Sequence, residues 1–169
     1  MAGEILVTVN GRPTEVSADP DTPLIYVLMN ELALKGPKFG CGLAQCGACS
    51  VLADGTEVRS CQMTLAAAAG KRITTLEGLP AWYAEQRKLA KAPALHPLQE
   101  AFIAEEVPQC GYCTSGVLIK ASELLARKPR PSDAEIRDHM DGHLCRCGTY
   151  PRIMKAIQIA ARRIAGDPR

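Results

Sequence analysis

Ten residues, Gly40-Cys41-Gly42-Leu43-Ala44-Gln45-Cys46-Gly47-Ala48-Cys49, hold three cysteines and three glycines, and a fourth cysteine, Cys61, follows after eleven more. Thiols this close together either pair or share a metal. The glycines let the backbone take positive φ and come close to whatever the sulfurs grip. Eight cysteines stand in 169 residues, and the chain starts without a basic, apolar export segment. That combination favours a reducing compartment and metal ligation over disulfides.

The spacing C-x4-C-x2-C is that of a plant-type [2Fe–2S] loop. Backbone N–H groups in such a loop donate to sulfur and tune the reduction potential. Structural zinc sites usually present paired C-x2–4-C arms instead, and a zinc protein remains the contrasting reading. A second cysteine group comes later: Cys110 and Cys113 as C-x2-C, then Cys145 and Cys147 as C-x-C, with 31 residues between the pairs. That interval fits two helices and their connection, and antiparallel packing would bring both pairs to one end. C-x-C is tight for a tetrahedral zinc but suits neighbouring ligands on an iron–sulfur unit. The expected metal ligands are therefore Cys41, Cys46, Cys49 and Cys61 in one site and Cys110, Cys113, Cys145 and Cys147 in another.

Around these sites the pattern alternates between strand and helix. Glu4 to Val9 reads as a strand, Asn10-Gly11 as a hairpin turn, and Pro13 to Val16 as the returning strand. Thr22 is placed to cap a helix starting at Pro23 and ending at Gly36-Pro37. Strands follow at Cys49 to Ala53, Thr56 to Arg59 and Lys71 to Leu76, with Asp54-Gly55 as a second turn. Pro97 opens a helix. Thr114 to Arg127 carries an apolar stripe of Val117, Leu118, Ala121, Leu124 and Leu125. Ser132 and Glu135 form a capping-box pattern. Pro151 to Ala165 places Ile153, Ile157, Ala160 and Ile164 on one face, and Gly166 and Pro168 stop it. The expected fold is α+β: a ferredoxin-like β-grasp domain over 1–79, a linker over 80–95, and a helical domain over 96–169 built as a four-helix bundle.

The net charge is +2, divided as −2 over residues 1–79 and +4 over 80–169. Nothing in it points to nucleic acid. No run is long enough to span a membrane. Assembly in the cytoplasm is expected, with export or membrane association beside folded partners left open. Trp82 and Tyr83 stand out in so aromatic-poor a chain; one reading has them pack back on their own domain, and the sharper one has the linker use them to dock on a partner subunit. His96, His139 and His143 are scattered; His96, before Pro97, reads as shaping a helix start. No residue set forms an acid–base or nucleophilic centre, so no catalytic residue is assigned.

The loop on Cys41, Cys46, Cys49 and Cys61, together with Glu77-Gly78-Leu79, His96-Pro97-Leu98-Gln99, Gln109-Cys110-Gly111-Tyr112-Cys113 and Cys145-Arg146-Cys147, resembles the small iron–sulfur subunit of the molybdenum hydroxylases, the xanthine oxidase family. The match covers most of the chain. A plant-type ferredoxin places its fourth cysteine much further along, whereas the short gap to Cys61 is similar to this family. The resemblance implies an electron-transfer subunit of a molybdenum oxidoreductase, carrying one [2Fe–2S] cluster per domain. It implies a large partner subunit holding molybdopterin, in its cytosine dinucleotide form, with Gln109 and Cys147 approaching the pterin. The Cys110/Cys113/Cys145/Cys147 cluster would be the inner one and the first loop's the outer one. Many members read Cys-Arg-Cys-Thr-Gly-Tyr; here Cys145-Arg146-Cys147-Gly148-Thr149-Tyr150-Pro151 resembles the branch of isoquinoline oxidoreductase and of bacterial aldehyde dehydrogenases. That branch implies a c-type cytochrome partner rather than an FAD subunit, with oxidation of an aldehyde or N-heterocycle. A free-standing two-cluster carrier or redox sensor is the competing reading.

Overall fold

The computed structural model describes residues 4–166. Its N-terminal part is a mixed five-stranded sheet of β1 (Glu4–Val9), β2 (Arg12–Ser17), β3 (Ser50–Ala53), β4 (Thr56–Arg59) and β5 (Arg72–Thr74), ordered β2-β1-β5-β3-β4. β1 pairs antiparallel with β2, Val7 facing Thr14, and parallel with β5, Val9 facing Ile73. β3 pairs antiparallel with both β4 and β5. The two hairpins turn at Asn10-Gly11 and Asp54-Gly55, all four residues with positive φ. This is the twist that two-residue hairpins need, and Asn-Gly and Asp-Gly supply it at least strain.

Helix α1 (Leu24–Tyr26) runs on into a π-turn over Val27–Glu31. Thr22 does not cap it: the residue before the helix is Pro23, without a side-chain cap. The free N–H groups are satisfied from elsewhere, Leu24 donating to the Met63 carbonyl at 2.7 Å and Ile25 to the Ser60 carbonyl at 3.0 Å. These bonds tie α1 to the segment carrying Cys61 and make a cap redundant. The helix also stops at Glu31, short of Gly36. α2 (Leu65–Ala68), four residues capped by Thr64, was not expected from the sequence.

β3 is buried along its length and joins two cores. Val51 packs with Val7, Leu24, Leu28 and Ile73, whereas Leu52 packs with Leu79, Trp82 and the helices that follow. Alternation along a strand sends neighbours to opposite faces, so each face needs its own cover. α1 covers one; α5 (Thr114–Arg127) covers the other. With α4 (Pro97–Ala104), α6 (Asp133–Met140) and α7 (Tyr150–Ala165), α5 encloses a core containing Leu98, Phe102, Ile119, Leu125, Ile136 and Ile157. α4 packs on α7, and α6 on both α5 and α7. His96 and Ser132 cap α4 and α6 in full capping boxes with Gln99 and Glu135. Gly166 ends α7 in the left-handed conformation; Pro168 lies outside the described residues.

Residues 80–95 begin in α3 (Leu79–Gln86). Trp82 is only 8% exposed and belongs to the helical core, and Tyr83 lies edge-on to the buried His96 ring, with centroids 4.8 Å apart. Of the two readings for these aromatics, packing within the chain agrees with this burial, Trp82 lying in the core with Leu52 and Leu79 and Tyr83 packing against it, and docking on a partner does not. Among the described residues no helix is long and apolar enough to cross a membrane.

Candidate metal centres

The first cysteine loop is built from its backbone outward. Gly42, Ala44 and Gly47 all have positive φ, which curls the chain about the Cys41 sulfur. Leu43, Gln45 and Cys46 N–H groups approach Cys41 Sγ at 3.3, 3.3 and 3.4 Å, and the Cys41 N–H approaches Cys46 Sγ at 3.4 Å. These donors, the Leu43 N–H foremost, pull the Cys41 thiol down to about 7. Cys49 and Cys61 are buried against Ile25 and Met29. Burial pushes the Cys49 thiol up to about 12, with the neighbouring Cys61 adding to the effect. Bound iron reverses that cost, since a coordinating thiol is deprotonated outright.

Glu77 fixes the approach to this loop. Its carboxylate accepts the N–H groups of Lys35 at 2.9 Å and Gly36 at 2.7 Å. A Cβ on Gly36 would lie 2.6 Å from that carboxylate, and one on Gly78 would lie 2.2 Å from Asn10 Oδ1. The Glu77-Gly78 pair is thus a clamp between β1, β5 and the loop entry. Burial opposes ionisation of Glu77, but the Thr75 hydroxyl and the Gly36 and Lys35 N–H groups outweigh it and hold its pKa below the ordinary value.

Cys110, Cys113, Cys145 and Cys147 line one cavity with Gln109, between the ends of α4 and α5 and the start of α7. Cys110 and Cys147 sulfurs are 3.5 Å apart, and Cys113 and Cys145 line the same cavity beside them, the Cys145 sulfur 3.5 Å from the Thr149 hydroxyl. Burial raises Cys113 to about 12, whereas in Cys145 the Thr149 hydroxyl and N–H overcome burial and bring the thiol to about 7. The Tyr112 N–H lowers Cys110. Gln109 and Cys110 are exposed, and Cys147 is half-buried.

At the first site Cys41 and Cys46 are joined by N–H···S contacts while Cys49 and Cys61 lie buried together, and at the second the Cys110 and Cys147 sulfurs meet beside Cys113 and Cys145. A single zinc ion gathers its ligands about one point, whereas a two-iron unit takes one pair per iron. The donor set, four thiols at each site, fits a [2Fe–2S] unit of two irons bridged by two sulfide ions. Cys41 and Cys46 share a cleft of about 410 Å³ with Cys110, Cys113 and Cys145.

Sequence reasoning missed the side chains between the two sites. Arg59 donates to the Ala44 carbonyl in the first loop and the Gly142 carbonyl ahead of the second. His143, buried, lies 3.2 Å from Ser50 Oγ; burial, then the Arg59 and Lys120 charges, hold it down to about 3. Their partners are distant in sequence, so no local signal marks them. Of the other histidines, His96 is a helix cap and His139 lies 3.2 Å from the Glu123 carboxylate.

Comparison with known proteins agrees with this arrangement. Residues 7–75 match the family described as 2Fe-2S iron-sulfur cluster binding domain, and residues 75–158 match the [2Fe-2S] binding domain family. The chain is 51% identical over 161 residues to a nicotinate dehydrogenase subunit of Pseudomonas putida, covering 95% of this chain and 96% of that protein. It is 49% identical over 158 residues to the alpha subunit of isoquinoline 1-oxidoreductase from Brevundimonas diminuta, covering 93% and 97%. Among solved structures, quinoline 2-oxidoreductase from Pseudomonas putida 86 superposes with a TM-score of 0.85 at 36% identity, covering 97% of this chain and 96% of that one. The aldehyde oxidoreductase of Desulfovibrio desulfuricans gives the same TM-score at 35% identity, but there the match spans 17% of a much longer chain. With two [2Fe–2S] domains in one chain and relatives this similar along nearly its whole length, the protein belongs to the molybdenum hydroxylase family, as a small iron–sulfur subunit.

Proposed function

We propose that this chain carries electrons from a large partner subunit, which binds molybdopterin, to an external acceptor, with Cys41, Cys46, Cys49 and Cys61 holding the outer [2Fe–2S] cluster and Cys110, Cys113, Cys145 and Cys147 the inner one. The observation that carries the reading is the gathering of four cysteines at each of two sites that open on one cleft. When bound, such clusters supply one-electron storage. The chain's residues do the rest. Leu43, Gln45 and Cys46 N–H groups stabilise charge on the Cys41 sulfur, and Thr149 does so for Cys145. Ile25 and Met29 keep water from the Cys49 and Cys61 side.

In this reading residues 1–79 are a β-grasp cluster domain, 80–95 the connector and 96–169 a four-helix-bundle cluster domain. The exposed Gln109 and Cys110, with Cys147, form the face turned toward the pterin, which is expected in its cytosine dinucleotide form. The outer loop, with Leu43 66% exposed, faces the acceptor; a c-type cytochrome subunit is proposed there from the resemblance of Cys145-Arg146-Cys147-Gly148 to the branch that includes bacterial aldehyde dehydrogenases paired with such a cytochrome. The substrate belongs to the partner's pocket, and the relatives named for nicotinate and isoquinoline make an N-heteroaromatic compound the favoured class.

The test is purification through a tag on this chain, followed by metal analysis and identification of co-purifying subunits. A stoichiometric large subunit containing molybdenum is expected. A chain that recovers fully loaded with iron and without any molybdenum partner would instead support the free-standing carrier.

A further inference from the structure

Arg59 closes β4, two residues before Cys61, and its side chain is only 17% exposed. Nε donates to the Ala44 carbonyl at 3.2 Å, midway between Cys41 and Cys46 in the outer loop. One terminal nitrogen, Nη2, donates to the Gly142 carbonyl at 3.2 Å, three residues ahead of Cys145 in the inner loop. The other, Nη1, donates to Ser50 Oγ at 2.6 Å, lies 2.8 Å from His143 Nε2 and pairs with the Glu57 carboxylate. One rigid planar group therefore binds both cysteine-bearing loops at once, with donors diverging in fixed directions.

The surroundings leave little play. The His143 ring packs so closely on Gly47 that a Cβ there would lie 2.4 Å from it. Gly116 of α5 meets the Gly47 carbonyl, where a Cβ would lie 1.9 Å away. Glu57 is shared with Lys120, which also pairs with Glu123, so the strap is held from the helical side as well. None of these groups is a cysteine ligand in the reading above, and an ion pair this elaborate contributes no obvious stability that an apolar contact would not.

We propose that Arg59 is a positioning residue: it sets the separation and orientation of the two iron–sulfur centres by strapping their loops together. This rests on the two-centre function above. Lysine keeps the charge but offers one point of attachment, and cannot hold Ala44 and Gly142 together. Glutamine removes the charge as well.

The experiment uses the iron-loaded full chain in its complex, as wild type, Arg59→Lys and Arg59→Gln, with iron counted first and the fully reduced samples then examined by low-temperature EPR for magnetic splitting between the two centres. Expected are splitting in the wild type and its loss in Arg59→Lys while iron and both individual signals persist. Arg59→Gln should lose the splitting and also shift the outer centre to a lower potential, which Arg59→Lys should not. Should Arg59→Gln fail to load, Arg59→Lys decides alone. Splitting that survives unchanged in an iron-replete variant overturns the proposal, as does a wild type with both signals and no splitting. An iron-free wild type would contradict the two-centre function, a separate failure.

Discussion

The backbone N–H of Leu144 donates to the carbonyl oxygen of Cys46 at 3.0 Å. Cys46 belongs to the first cysteine group and Leu144 immediately precedes Cys145 of the second, so a direct peptide hydrogen bond joins the two loops beside the Arg59 strap. The Leu144 side chain itself is 58% exposed. Replacing it with proline removes the donor and leaves the Cys46 carbonyl short of a partner, at an expected cost of about 1–3 kcal/mol. Leu144→Ala keeps the N–H and should stay within about 0.5 kcal/mol of wild type. Urea midpoints of the loaded chain check both.

Trp82 gives the second prediction. Because its ring lies in the core with Leu52 and Leu79, Trp82→Ala should destabilise the chain by about 3–5 kcal/mol. Equilibrium unfolding of the chain without its partners measures this. An unchanged midpoint accompanied by loss of the complex would restore the docking role that burial argues against.

His96 makes stability depend on pH. Burial lowers its pKa to about 4, and its Nδ1 accepts the Leu98 N–H at 3.0 Å as the cap of α4. The unfolded histidine titrates near 6.5, so between those values the unfolded state holds a proton that the folded state lacks. The contribution is therefore complete above about pH 6.5 and is lost progressively as the pH falls toward 4, by about 2 kcal/mol at pH 5. His96→Asn keeps a capping side chain and should flatten this part of the profile. Urea midpoints of both proteins between about pH 7 and 5 make the comparison; parallel profiles would count against it.

Local chemistry explains which parts of the molecule were legible in the sequence. Asn10-Gly11 and Asp54-Gly55 specify their turns because few other residues tolerate two consecutive positive φ values. Ser132 with Glu135, and His96 with Gln99, satisfy helix N–H groups within three residues. The cysteine groups were legible because spacing alone limits what four thiols can hold. Thr22 misled because the α1 terminus is satisfied by backbone more than thirty residues away. Trp82 left two readings open because a ring in a connector carries no sign of the core it enters. Arg59 was invisible for the same reason: its carbonyl partners Ala44 and Gly142 lie 15 residues before it and 83 after it in sequence.

The electron-transfer role depends on two separate sets of four sulfurs each holding a [2Fe–2S] unit. Iron and sulfide analysis with EPR of the reduced protein, on wild type, Cys41→Ser and Cys110→Ser, tests this without an intermediary. About four irons per wild-type chain and two distinct signals are expected, the outer one lost in Cys41→Ser and the inner one in Cys110→Ser. Zinc in place of iron, or two signals that survive both substitutions, would refute it.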